Sequence, residues 1–318
     1  MDFLFIKDVR SKKNLLAIDE LKDFMENNFT RSPLLSRQAI GWCAVLGSAF
    51  FFYLATLIIR WADAYVTIAS AYFVFARFFL GFVVVTITMC IQHQPLKPRR
   101  HHYLIGRTIA NTVAVFCFYQ AVSIGSVAQA NILNMTYPLF VALFSWFFLK
   151  GQRDLLSFII AAVAFIGIWL VLAPSEMTLG SGSAWGLASG ITAAAAIIYL
   201  NLSRQHHDSQ TILFYMFGLG MVLIFLLFHE EIFWPDRTEL GFLLACSAAG
   251  VLGQYLLTYG FVFVTAVEGS ILSSSRILMA ALLGPILVAD PVLTVTGWIG
   301  AFLIFSANAS LALRRQHG

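Results

Sequence analysis

Arg276 is the residue that demands most of its surroundings. It stands in GSILSSSRIL (269–278), after three serines and inside an apolar run. A guanidinium stays charged at any accessible pH. At membrane depth it needs a carboxylate, a cluster of carbonyls or a substrate anion. Glu268 is the nearest acid, eight residues or about two turns back, so a direct pair would need both side chains to reach along the helix. Arg276 reads as an anchor for a substrate carboxylate or phosphate; the competing reading is a structurally paired or snorkelling cation.

Other polar groups fall at helical spacing. Asn131, Asn134 and Pro138 lie at i, i+3 and i+7, with Tyr137 beside Asn134. Two amides on one face offer donors and acceptors to a ligand. The same pair would serve as interhelical glue worth about 0.6 kcal/mol per contact. Pro138 lacks an N–H and opens a helix locally. Gln254, Tyr255, Thr258 and Tyr259 form a second polar face, and Asn111, Tyr119 and Gln120 a third. An aromatic hydroxyl packs its ring and orients a ligand through oxygen. Tyr119 and Tyr259 stand near predicted span ends, where interfacial anchoring fits equally well. Glu268 and Asp290 are the acids close to the last two apolar segments. If protons drive the protein, one of them is the expected carrier, because burial raises a carboxyl pKa into a useful range.

Several chemistries are excluded. There is no G-x-x-x-x-G-K-[ST] phosphate loop and no H-E-x-x-H. Ser273 to Ser275 have no histidine in any apolar segment to act as a base. Cys43, Cys90, Cys117 and Cys246 lie in apolar runs without ligand or disulfide spacing and read as small buried hydrophobes. The doublets His101-His102 and His206-His207 read as solvated loop residues rather than a metal site. No cofactor and no metal are expected.

The elements that must position these residues follow from composition. The chain has 318 residues, 59% hydrophobic and 11% charged, with mean hydropathy +0.82. A soluble domain carries about 25% charged residues, so this is an integral membrane protein. Its net charge of +4 is no sign of nucleic-acid binding, since the positive excess flanks apolar segments. A span needs about 20 apolar residues. That ruler predicts ten: 39–59, 65–91, 103–122, 127–149, 155–173, 184–202, 211–228, 240–261, 269–288 and 292–312. Alternate loops and the C-terminal tail hold Lys97, Arg99, Arg100, Lys150, Arg153, Arg204, Arg314 and Arg315, against Arg60 and Arg237 opposite. That asymmetry places both termini in the cytoplasm. Residues 1–38 form an N-terminal tail, and a start at Met25 would leave the membrane body intact. Within the tail, 14–29 is either a dispensable stretch or a short interfacial helix with Ile18, Leu21 and Met25 on one face.

The two halves follow one plan. AIGWCAVLGSAF (39–50) opens the first and SAWGLASGITAA (183–194) the second, and a shift of about 140 residues superposes their hydropathy layouts. Five spans is an odd number, so the second half must sit inverted, a recurrent plan of secondary transporters. FARFFLGF (75–82), CFYQAVSIGSVAQANILNMTYPLFVALFSWFFLK (117–150) and YGFVFVTAVEGSILSSSRILMAALLGPILVAD (259–290) resemble the drug/metabolite transporter superfamily, specifically its EamA-type members. The resemblance covers 39–312. It implies repeats over 39–173 and 184–312, with 313–318 as a cytoplasmic tail. It also implies export of amino acids, their derivatives or related metabolites. Arg77 matches an arginine often seen at this place in the family and reads as structural. An acid often ends spans 4 and 9; Asp290 fits, whereas Lys150 reverses the charge.

The expectation is an all-α protein of ten transmembrane helices in two inverted five-helix repeats, multi-pass in a bacterial cytoplasmic (inner) membrane. It would move a small polar or amphiphilic metabolite by alternating access. Asn131, Asn134, Tyr137, Gln254, Tyr255, Tyr259 and Arg276 would bind substrate, Glu268 or Asp290 would couple protons, and Arg77 and Pro138 would be structural. The partners expected are a small-molecule substrate and the bilayer; monomer and homodimer are both compatible with the sequence. An intramembrane enzyme on lipid-linked substrates and a non-transporting partner subunit are the rival classes.

Overall fold

The computed structural model describes residues 34–148, 155–172, 181–204, 206–263 and 266–314. The 14–29 segment, Lys150, Arg153 and Arg315 lie outside the described residues, as does the side chain of Glu268. All regular elements among the described residues are helical: α1 (Leu34–Ala62), α2 (Ser70–Ile91), α3 (His101–Ile124), α4 (Val127–Asn134), α5 (Tyr137–Phe148), α6 (Leu155–Leu172), α7 (Ser181–Arg204), α8 (Ser209–Phe228), α9 (Arg237–Phe263), α10 (Ala266–Leu287) and α11 (Val295–Arg314), with a single 3₁₀ turn at His229–Glu231. Within α1, α2, α7, α8 and α9 lie five segments long and apolar enough to cross a membrane. Large apolar side chains stand on the outside, among them Trp169, Leu226, Leu227 and Ile286. Such a surface suits lipid rather than water.

Polar residues at the ends start several helices. Asp208 accepts from the Thr211 N–H at the head of α8. Asp236 and Glu239 exchange backbone N–H bonds, each 2.8 Å, as a capping box before α9. Ser126 accepts from the Gln129 N–H to open α4.

The sequence predicts one span over 127–149 that Pro138 opens locally. The chain divides there into α4 and α5, with Met135 and Thr136 between them. Pro138 is the cause: it has no N–H, and its ring would clash with the carbonyl of residue 134 in an uninterrupted helix. In the first turn of α5 the missing donor costs nothing, because that N–H has no helical partner. The gap is closed locally. Thr136 donates its backbone N–H (3.1 Å) and its hydroxyl (2.6 Å) to the Leu133 carbonyl. Gly190 of α7 lies against the break, where a Cβ would meet Thr136 Oγ1 at 2.5 Å and the Leu133 oxygen at 2.8 Å.

Helix partners follow a pattern. α3 packs on α7 as α9 packs on α1; α4 packs on α7 as α10 packs on α1; α3 packs on α8 as α9 packs on α2. Each such pair exchanges if the first five predicted spans are swapped for the last five. The α2–α8 and α6–α11 contacts map onto themselves.

Candidate functional site

Side chains from α1, α2, α3, α7, α9, α10 and the α4–α5 break line a cavity of about 120 Å³, room for several waters or the head of a small metabolite. Its most informative feature is charge. Arg77, Arg107 and Arg276 all line it, and none of its described lining residues is acidic. All three are buried. Among the described residues the one ion pair is Arg60 with Asp63, neither of which lines this cavity. The Nε atoms of all three arginines lack a hydrogen-bond partner among the described residues. Buried charge without a counter-ion is costly, and a bound anion would relieve that cost.

The guanidiniums are held by neutral groups. Arg77 donates from Nη1 to the Tyr119 hydroxyl at 3.0 Å, and its stem lies on Gly250, where a Cβ would come within 2.8 Å. Arg276 donates from Nη2 to Asn134 Oδ1. Asn134 in turn donates from Nδ2 to Ser189 Oγ of α7 at 3.0 Å. The rings of Phe52 and Phe118 lie under these cations: Arg276 is 5.8 Å from the first centroid and 5.1 Å from the second, and Arg77 is 5.2 Å from Phe52. Such stacking favours a partly desolvated cation but leaves its N–H fork free for a carboxylate or phosphate.

The family model of EamA-like transporters matches this chain twice, over residues 39–173 and 180–312. The chain belongs to the EamA-like transporter family. Among its relatives, the pseudopaline exporter CntI of Pseudomonas aeruginosa is 27% identical over 69% of this chain and 76% of its own length. An uncharacterized transporter of Helicobacter pylori is 26% identical over 82% of this chain and 92% of its own. A solved crystal structure shares the fold with a TM-score of 0.56 at 16% identity, covering 89% of this chain and 99% of the other. Family and relatives are transporters rather than enzymes, which makes a small-molecule substrate and membrane lipid this protein's partners.

In this EamA-like transporter the residues singled out by sequence divide into two groups. Asn134, Tyr137, Gln254, Arg276, Asn111 and Arg77 meet at the cavity. Asn131 does not: its amide donates to the Val127 carbonyl (2.8 Å) and to Thr56 of α1 (3.2 Å), the glue alternative. Tyr255 packs against the main apolar core away from the cavity wall. Tyr259 is 47% exposed and meets Phe263 edge-on. Tyr119 is fully buried beneath Arg77, so interfacial anchoring does not describe it. Pro138 sits half-buried in the first turn of α5.

Asp290 lies off the cavity, between α10 and α11, where Oδ2 accepts from the Ala128 N–H at 3.0 Å. It thereby caps α4 at the end opposite Asn134. Burial pushes its carboxyl above the usual aspartate value, while the Ala128 bond and Arg60 act the other way. The His206-His207 doublet also departs from expectation. His207 is buried rather than solvated. Its Nε2 accepts from the backbone N–H groups of Arg99 (3.1 Å) and Arg100 (3.3 Å), and Nδ1 meets the Ser203 carbonyl. His206 stacks on Tyr103 at 5.8 Å. No group of three metal-binding side chains occurs among the described residues.

Arg107, Phe52 and Phe118 are cavity residues that sequence reasoning missed. Arg107 could have been found: it stands inside the predicted third span, four residues before Asn111 on the same helical face.

Proposed function

We propose that this protein is a secondary transporter that exports a small amphiphilic metabolite of the amino-acid or amino-acid-derivative class through alternating access. The observation that carries the reading is a cavity with three buried arginines and no acid among its described lining residues. Arg276, supported by Asn134 and Phe118, holds the anionic group of the substrate; Asn111, Tyr137 and Gln254 orient its polar remainder. The halves comprise ten spans in two inverted repeats, and the exchange symmetry of the helix partners supports that plan. Helix breaks at a central site between such halves are a feature of transporters of this kind. The protein sits in the bacterial cytoplasmic membrane with both termini inside, which the loop lysines and arginines support. The likeness to an exporter named for pseudopaline supports outward flux.

Asp290 is the coupling residue if protons drive the cycle. Its carboxylate holds one end of α4 while Asn134 and Arg276 meet at the other, so protonation at one end alters the support of the other.

The deciding experiment compares metabolites in medium and cytosol between a deletion strain, the same strain expressing wild type, and one expressing R276Q. One compound should accumulate inside the deletion strain and outside the wild-type expressor, with R276Q resembling the deletion. Reciprocal change in the total amounts of two compounds would replace transport with enzymatic conversion. Wild-type redistribution by R276Q would remove the anchor.

A further inference from the structure

The anchor at Arg276 leaves Arg107 without a task. Arg107 is 4% exposed, and among the described residues no carboxylate pairs with it and its Nε has no partner. It lines the cavity together with Asn111, Ala114, Val115 and Phe118 of the same helix, one continuous stripe of α3. Arg276 lies over Phe118 at one end of that stripe, and Arg107 is at the other. Eleven residues of helix separate Arg107 from Phe118, about 16 Å between Cα atoms.

A second, smaller recess of about 10 Å³ continues beyond Arg107 towards the start of α8, the size of one water. Arg107 and Gln254 line both spaces, and Arg204 enters the recess from the end of α7. Arg204 is held there by a long 3.4 Å bond to the Thr258 carbonyl. The charges of Arg107 and Arg204 repel one another, and the recess, like the cavity, has no acidic residue among its described lining residues. Arg204 is half-buried at the end of α7, so of the two it is the buried Arg107 whose charge an anion would relieve.

We infer that Arg107, backed by Arg204, is a second anion subsite, so that the cavity takes an elongated metabolite with two acidic groups. One group is held by Arg276 and Arg77 near the helix break, over Phe52 and Phe118, the other by Arg107 at the α8 end, with Ala114 and Val115 against the apolar middle. This rests on the proposed transport reading and narrows its substrate class to dianions.

The test uses the full-length protein in detergent, with thermal stabilisation as the readout of binding. The probes are hexanoate, with one carboxylate, and succinate and suberate, with two. Suberate should bind at least tenfold more tightly than hexanoate, with succinate too short to show the gain. R107Q should erase the difference between suberate and hexanoate, R204Q should reduce it, and R276Q should weaken both probes. R107K, which keeps the charge, should retain part of the suberate preference and guards against a misfolded glutamine variant. Equal binding of suberate and hexanoate to wild type overturns the second subsite while leaving a singly charged substrate in place. So does a preference for suberate that survives in R107Q. If neither probe stabilises the protein while metabolite profiling still shows a compound changing sides, the dianion inference falls and transport stands. If both fail, the two fall together.

Discussion

Replacing Arg276 by glutamine should move binding and stability in opposite directions. The guanidinium is 5% exposed, and its protein contacts are Asn134 Oδ1 and two aromatic faces. A carboxylate received by its fork gains charged hydrogen bonds worth about 1.5–3 kcal/mol each, and truncating one partner of such a buried pair costs about 2–5 kcal/mol. A mid-range loss of about 3 kcal/mol corresponds to roughly two decades in affinity. R276K, which keeps a point charge without the planar fork, should lose about one decade. The empty protein responds differently. Its guanidinium has no described carboxylate partner, so glutamine removes a desolvated charge rather than a salt bridge, and Asn134 keeps its bond to Ser189. The melting temperature of purified R276Q should therefore equal or exceed that of wild type. The assay pairs thermal unfolding in detergent with export of the metabolite identified by profiling, normalised to inserted protein. A lower melting temperature together with export proportional to folded protein would refute the reasoning and make Arg276 a structural cation.

Three further outcomes follow from the surrounding contacts. Gly190→Ala places a Cβ 2.5 Å from Thr136 Oγ1 and 2.8 Å from the Leu133 carbonyl, so it should destabilise by about 1–3 kcal/mol, seen as a lower melting temperature. Asp290→Ala removes the acceptor of the Ala128 N–H and should cost about 1 kcal/mol, whereas Asp290→Asn keeps an acceptor. Because burial raises the Asp290 pKa, the folded chain holds that proton more tightly than the unfolded one. The resulting stability is fully present below the ordinary aspartate pKa of about 3.9 and is lost as pH rises through the raised value. D290N should flatten that slope in a melting series from pH 4 upward and, if Asp290 couples protons, also flatten the pH dependence of transport. His207→Ala removes the acceptor of the Arg99 and Arg100 N–H groups and should cost about 0.5–1.5 kcal/mol, with faster proteolytic nicking of the 93–100 loop.

Membrane residence, the approximate helix positions and the need of Arg276 for a partner are all legible in the sequence. They depend on local quantities: hydropathy over about 20 residues, helix-breaking by Pro138 and a charge that no helix can neutralise by itself. The division of labour among the polar residues is not local. Asn131 and Asn134 are indistinguishable by type and spacing, yet α1 supplies Thr56 to the first while α7 and α10 supply Ser189 and Arg276 to the second. Gln254 and Tyr255 are neighbours in sequence, yet one faces the cavity and the other the apolar core. A rotation of about 100° per residue decides such cases, and which direction is inward depends on neighbouring helices far away in the chain. The convergence of Arg77, Arg107 and Arg276 without a described acid is likewise a property of three helices packed together. Sequence determined that buried charges must be answered; tertiary structure decided that they answer to a shared cavity, because only packing brings residues separated by up to two hundred positions to the walls of one space.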